Sequence, residues 1–187
     1  MERIIDAVPT EDIIKELTEE RFVRKTNFGH NEIYIVNAHN APNTMREIGR
    51  LREWAFRESG GGTGKSIDID EFDTRDEAYF EQLIVWDPKE KEILGGYRFI
   101  NCDKLKKKNN GQVDTPTSEL FYYSDEFIDN YLPYTIELGR SFIQPKYQST
   151  GNVRKSIFTL DNLWDGLGTL LTNTPSAKYF FGKVTMY

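Results

Sequence analysis

Apolar positions along the chain switch several times between the three-to-four-residue spacing of an amphipathic helix and the two-residue alternation of a half-buried strand. Ile13, Ile14 and Leu17, with Phe22 less cleanly in phase and Thr10 in front, predict a capped helix over Pro9–Arg24. Glu32–Asn37 (EIYIVN) is β-branched and aromatic and reads as a strand. From Asn43 to Ser59, Met45, Ile48, Leu51, Trp54 or Ala55, and Phe56 return at helical spacing, and Ser59 with the glycines behind it stops that helix. Tyr79–Trp86 and Glu92–Asn101 are two strands joined by Asp87-Pro88-Lys89-Glu90-Lys91, a hairpin signal. Lys104–Thr117 is polar and loop-like, and Ser118–Leu132 has helical spacing with Ser118 as its N-cap. Tyr134–Gln144 reads as a strand, Pro145–Asn152 as a glycine-bearing loop, Val153–Leu171 as a helix and Tyr179–Tyr187 as a last strand.

That order predicts an α/β fold of the α+β kind, one mixed sheet flanked by helices on both faces. The 187 residues fit a single domain, on a prior of about 100–200 residues each, with residues 1–28 as an N-terminal helical extension. The chain stops inside or just after a strand, so it is expected to be a fragment of a longer protein with C-terminal strands missing.

Composition narrows the class. Apolar residues make up 38% and charged residues 29%, the balance of a soluble globular protein rather than a disordered one. Cys102 is the only cysteine, which excludes an intrachain disulfide and favours a reducing compartment. No secretory leader and no run of about 18 apolar residues is present, so a cytoplasmic location is expected. A formal charge of -6 argues against non-specific nucleic-acid binding while leaving room for a local basic patch.

The loop Gly60-Gly61-Gly62-Thr63-Gly64-Lys65-Ser66 imitates a phosphate-binding loop, but Ser59 stands where that motif needs glycine, and the loop follows a helix rather than a strand. A flexible surface connection is the better reading. Three charge clusters are more suggestive: Arg52-x-x-x-Phe56 on one helix face, Asp70-x-x-Asp73 in an acidic stretch, and Arg98 in one strand with Glu137 and Arg140 in another. Glu137 alternates with Ile136 and Leu138, which should face away from it. Each charge alone fits solvated surface or an ordinary ion pair. His30 and His39 lie far in sequence from this tract, and no metal site is expected.

Arg52, Phe56, Asp70, Asp73, Arg98 and the tetrad Glu137-Leu138-Gly139-Arg140 follow, in order, a pattern that resembles the acyl-homoserine-lactone synthases. Phe121-Tyr122-x-Ser124-x-Glu126-Phe127, Pro145-x-Tyr147, Leu163-Trp164-x-Gly166-Leu167 and Tyr179-Phe180-Phe181-Gly182 bring the chain closer still to the ornithine- and glycine-lipid N-acyltransferases, often labelled hemolysin-like. The likeness runs from about Ile33 to the C-terminus. It implies a GNAT-like acyl-CoA N-acyltransferase fold, truncated at the C-terminus, and a fatty acyl group moved from a thioester to the amine of glycine or ornithine, the first step of an aminolipid. No cofactor is held permanently; the donor is acyl-carrier-protein or coenzyme A thioester. Gln148-Ser149-Thr150-Gly151-Asn152-Val153 carries Val153 where the family's carrier loop has a small residue, which fits an acyl carrier protein better.

The resemblance further implies roles. Glu137 is the expected general base, since a thioester is attacked only by a neutral amine. Arg140 and Ser141 complete the catalytic set, with backbone N–H groups near Ser141–Ile143 as oxyanion donors if the strand bulges there. Arg52, Phe56, Asp70, Asp73, Arg98 and Phe142 are expected to shape the acceptor pocket and hold a substrate carboxylate; a purely structural tie between helix and sheet is an equal reading of the charged ones. Gln148, Gly151, Asn152, Val153, Arg154 and Lys155 are expected to hold the phosphopantetheine arm, its phosphate at the helix start near Val153. Lys104, Lys106, Lys107 and Lys108, and the acid-free run Arg140, Lys146, Arg154 and Lys155, are candidate docking patches for an acidic acyl carrier protein. Lys104–Lys108 suits anionic lipid headgroups equally, hence a peripheral contact with the inner membrane face. Two other functions stand beside this one: a signal synthase using S-adenosylmethionine, and a non-catalytic acyl-carrier-binding protein on the same scaffold.

Overall fold

The structure, a computed structural model, describes residues 1–148 and 153–183, with side chains for all of these except 153–157. Six strands form one sheet in chain order: β1 (Phe22–Lys25), β2 (Glu32–Val36), β3 (Glu81–Asp87), β4 (Glu92–Asn101), β5 (Thr135–Ile143) and β6 (Tyr179–Gly182). Neighbours are antiparallel except β5 and β6, which run parallel. A parallel pair needs a long crossover, and here it is the helix α5 (Val153–Asn173). The sheet is therefore mixed, as the order of elements predicts.

Strand alternation sorts the core into two faces. Tyr34, Val36, Ile84 and Trp86 meet Met45, Ile48 and Leu51 of α2 (Pro42–Glu58) on the front. Ile33, Leu83, Phe99 and Ile136 meet Leu170 of α5 on the back. The short helices α3 (Glu71–Thr74) and α4 (Asp125–Asn130) add Phe72 and Ile128 to a further cluster with Phe80, Ile100 and Cys102. No helix among the described residues is long and apolar enough to cross a membrane.

Three elements differ from expectation. The first helix, α1, spans only Thr10–Glu16, its N-cap is Pro9 and no side chain caps it. The chain then turns, and Phe22–Lys25 pairs with β2 instead, the Phe22 ring standing edge-on to Tyr34 at 5.6 Å. Seven helical residues are marginal alone, and a sheet edge offered the next segment more. The region expected as a helical extension over 1–28 thus holds one short helix and a strand.

The second difference is at Ser118–Leu132, where helix forms only over Asp125–Asn130, capped by Ser124, whose Oγ accepts from Phe127 N at 3.2 Å. Ser118 instead closes a turn, its Oγ donating to Thr115 O at 2.8 Å. The Gln112 amide bonds both N and O of Tyr123, at 2.9 and 3.0 Å, and holds that backbone out of a helix. The third is the last strand, described only over Tyr179–Gly182; residues 184–187 of the expected Tyr179–Tyr187 lie outside the described residues.

Candidate active site

Three arginines and three aspartates meet on the front of the sheet below the end of α2. Arg52 is fully buried and reaches Asp68 through Nε at 3.2 Å and Asp73 through Nη2 at 3.2 Å. Arg98 on β4 holds both oxygens of Asp70 with Nη1 at 2.7 Å, and Asp73 at 3.4 Å. Arg140 on β5 meets Asp68 at 3.2 Å and Asp70 at 3.7 Å. Gln82 donates to Asp73 at 2.9 Å.

Local sequence explains why the aspartates face this way. Ile67 and Ile69 alternate with Asp68 and Asp70, and a Cβ on Gly49 of α2 would stand 2.7 and 2.6 Å from the two isoleucines. The apolar pair takes the helix face and sends the carboxylates to the arginines. Asp70 and Asp73 form a capping box on α3, which fixes both. Burial penalises the Asp73 anion, yet the Arg52 and Arg98 charges outweigh that and hold its carboxyl below the usual carboxylate range.

Glu137 lies beside this network. It pairs across β4 with Ile100 on the front face, while Ile136 and Leu138 pack against the α5 side. Only 2% exposed, it accepts from Thr117 Oγ1 at 2.7 Å through Oε1; Oε2 has no protein partner among the described residues. The carboxylate lines a cleft of about 460 Å³ whose walls include Phe56, Asp70, Arg98, Arg140 and Ser141. Gly139 faces Arg98 across the strands, and a Cβ added there would stand in ordinary contact with the guanidinium Nε, at 3.8 Å.

Past Gly139 the ladder breaks. Gly96 pairs with Phe142 and Arg98 with Gly139, so Arg140 and Ser141 together oppose Tyr97. This is a β-bulge, and Arg140 adopts φ 48° in it. The extra residue interrupts pairing where backbone donors were anticipated. It also re-phases the strand and brings Phe142 to the same face as Glu137, where it packs into the front core against α2 and not into the cleft. Phe142 does line a smaller hollow of about 260 Å³ that shares Phe56, Ser59 and Ser141 with the cleft and reaches Gln148. Gln148 Nε2 donates to Ile143 O at 2.5 Å. Gly151 and Asn152 lie outside the described residues, and of Val153, Arg154 and Lys155 only the backbone, which opens α5, is described.

The glycine loop turns its donors inward. Glu53, fully buried, accepts from Thr63 N (2.9 Å), Thr63 Oγ1 (2.6 Å), Gly64 N (2.9 Å) and Arg57 Nε and Nη2 (3.0 and 2.7 Å). Burial opposes its charge, but the bonds from Thr63, Arg57 and Gly64 carry its pKa below the ordinary value. Lys104, Lys106, Lys107 and Lys108 each meet an acid, namely Glu81, Glu77, Asp129 and Asp114, and Lys146 meets Glu92.

Three residues of the site escaped the sequence reading: Asp68, Thr117 and Lys183, the last lining the cleft just beyond β6. The alternation of Ile67 and Ile69 with acids was the available signal for Asp68. Thr117 ends a polar loop and Lys183 follows a four-residue strand, with no local pattern to single out either.

Residues 51–156 match the family model described as Acetyltransferase (GNAT) domain. Along its whole length the chain is 57% identical to a protein of Bacteroides thetaiotaomicron and 51% identical to one of Phocaeicola vulgatus, both described as glycine N(alpha)-acyltransferase. It spans about half the length of these curated relatives, 55% of the first and 57% of the second. Among solved structures, an aminoglycoside acetyltransferase from an uncultured soil metagenomic sample aligns with a TM-score of 0.43 and 12% identity over 84% of this chain and 81% of that one, a likeness too distant to carry an argument.

Proposed function

Given that this chain belongs to the GNAT acetyltransferase-domain family, we propose that it transfers a fatty acyl group from an acyl-carrier-protein thioester to the amine of glycine, opening the synthesis of an aminolipid of the hemolysin-like branch. The observation that carries this reading is the Glu137 carboxylate: buried, oriented by Thr117 through one oxygen, free at the other, and in the wall of a cleft beside a bulged strand. Glycine is preferred to ornithine because both relatives above half identity bear that name. An acyl carrier protein is preferred to coenzyme A because Val153 replaces the small residue usual in the family's carrier loop.

In the reaction, Glu137 Oε2 takes a proton from the acceptor ammonium, directly or through one water. The freed amine nitrogen attacks the thioester carbonyl carbon, and a C–N bond forms as the carbonyl oxygen becomes an oxyanion. Backbone donors at the Arg140–Ser141 bulge are the candidates to stabilise that charge. Collapse breaks the C–S bond, the nitrogen's second proton passes to the departing sulfur, and the carrier leaves as its thiol. The hollow between Phe56, Ser141 and Gln148 gives the donor arm a route to the same carbonyl.

Purified protein, acyl-charged carrier protein and glycine, followed by mass detection of N-acylglycine, test the reading. Glu137→Gln keeps the size of the side chain and its capacity to accept from Thr117, and should lower kcat by about 10²–10⁴-fold, the usual contribution of a general base. Turnover equal to that of the unaltered protein removes Glu137 from the role.

A further inference from the structure

The cleft holds three cations, and two already face aspartates at ion-pair distance. Arg98 binds both oxygens of Asp70 and meets Asp73; Arg140 meets Asp68 and Asp70. Among the described residues Lys183 forms no ion pair, and its one hydrogen bond there runs from Nζ to Pro116 O at 2.8 Å. An ammonium has three donors, so two remain for a ligand. Among the cleft's acids Glu119 stands exposed at the rim, in solvent, and Glu137 is the buried one with an unpartnered oxygen.

Adjacent residues hold these two groups. The Pro116 carbonyl fixes the Lys183 ammonium, and the Thr117 hydroxyl fixes Glu137 Oε1 at 2.7 Å. Consecutive Cα atoms are about 3.8 Å apart, so one dipeptide anchors a cation and an anion that line the same cleft, each with bonding capacity left over. An α-amino acid carries the reverse charges one carbon apart. We propose that Lys183 is the residue that holds the acceptor's carboxylate while Glu137 receives its ammonium, which makes the cleft selective for zwitterionic α-amino acids over simple amines. This rests on the reading of Glu137 given above.

The electrostatics agree. Burial, helped by repulsion from Arg140 and Arg98, lowers the Lys183 pKa despite the attraction of Glu137. A carboxylate set against Nζ relieves that cost, so the site favours an anion there. The arginines earlier expected to hold the substrate carboxylate already lie within ion-pair distance of aspartates.

The test compares glycine with glycinamide, which keeps the amine and replaces the carboxylate by a neutral amide. The ratio of their kcat/KM values in the unaltered protein should exceed that in Lys183→Met by about 10- to 100-fold, the range of a charge-assisted hydrogen bond, and Lys183→Arg should retain most of it. Loss of the same size for both acceptors, or a change confined to KM for the acyl donor, overturns the proposal. Absence of turnover with any amine in the unaltered protein is a separate outcome: it refutes the acyltransferase reading and this inference with it.

Discussion

Replacing Arg52 by Met keeps a long unbranched side chain and deletes the guanidinium at the centre of the buried network. Asp68 then retains Arg140, and Asp73 retains Arg98, Gln82 and the backbone N–H of Asp70. Removing one partner of a buried ion pair costs about 3–5 kcal/mol, because the remaining charge stays desolvated. Two aspartates lose a partner here, which argues for the upper end, but each keeps another arginine, which brings the expectation down to about 3 kcal/mol. With a urea m-value of about 2 kcal/mol per molar for a chain of this size, the unfolding midpoint should fall by about 1.5 M at unchanged m. A double-mutant cycle with Asp68→Asn isolates the shared term, expected at about 0.5–3 kcal/mol for groups in direct contact. A midpoint shift under about 0.5 M, or strict additivity in the cycle, would show that Arg52 is not what ties α2 to the acidic segment.

Asp73 and Glu53 both have pKa values lowered in the folded chain, so their stabilisation is complete above the unfolded carboxylate values of about 4 and is lost as pH falls through the lower folded values. Urea midpoints should be flat from pH 7 to 5 and drop below about pH 4, with a shallower acid slope in Glu53→Gln; an equally steep slope in that variant would dissociate Glu53 from the acid response. Gly95→Ala should cost about 1–3 kcal/mol, since the new Cβ would stand 2.5 Å from the Phe142 carbonyl oxygen across the strands; an unchanged midpoint would refute that close approach.

The sheet was legible where one period dominated. Ile84 and Trp86 against Leu83 and Val85, and Glu137 against Ile136 and Leu138, divide as two-residue alternation requires. The N-terminal segment was not, because Ile13 and Leu17 establish a helical spacing that says nothing about where pairing with β2 takes over at Phe22. Of two serines, Ser118 and Ser124, either suits a cap; the Gln112 contacts to Tyr123 favour the second, and they come from the polar loop just before this segment, which has no periodicity to announce them. In the site, the motif residues on α2, β4 and β5 carried a recognisable spacing. Lys183 and Thr117 did not, since what joins them to Glu137 is the fold of the 104–117 loop over the sheet.

One residue too many in β5 divides that strand into two jobs. Upstream of Arg140, the inward positions line the cleft; downstream, the same side of the ribbon is mortar between sheet and helix. Deleting either Arg140 or Ser141 would heal the dislocation and leave Phe142 on the face it now occupies, whereas a regular strand that kept both residues would invert the parity of everything after them: Phe142 would swing out and Ile143 in. The fold tolerates an open cleft and a dry interior on a single strand because a local miscount separates them.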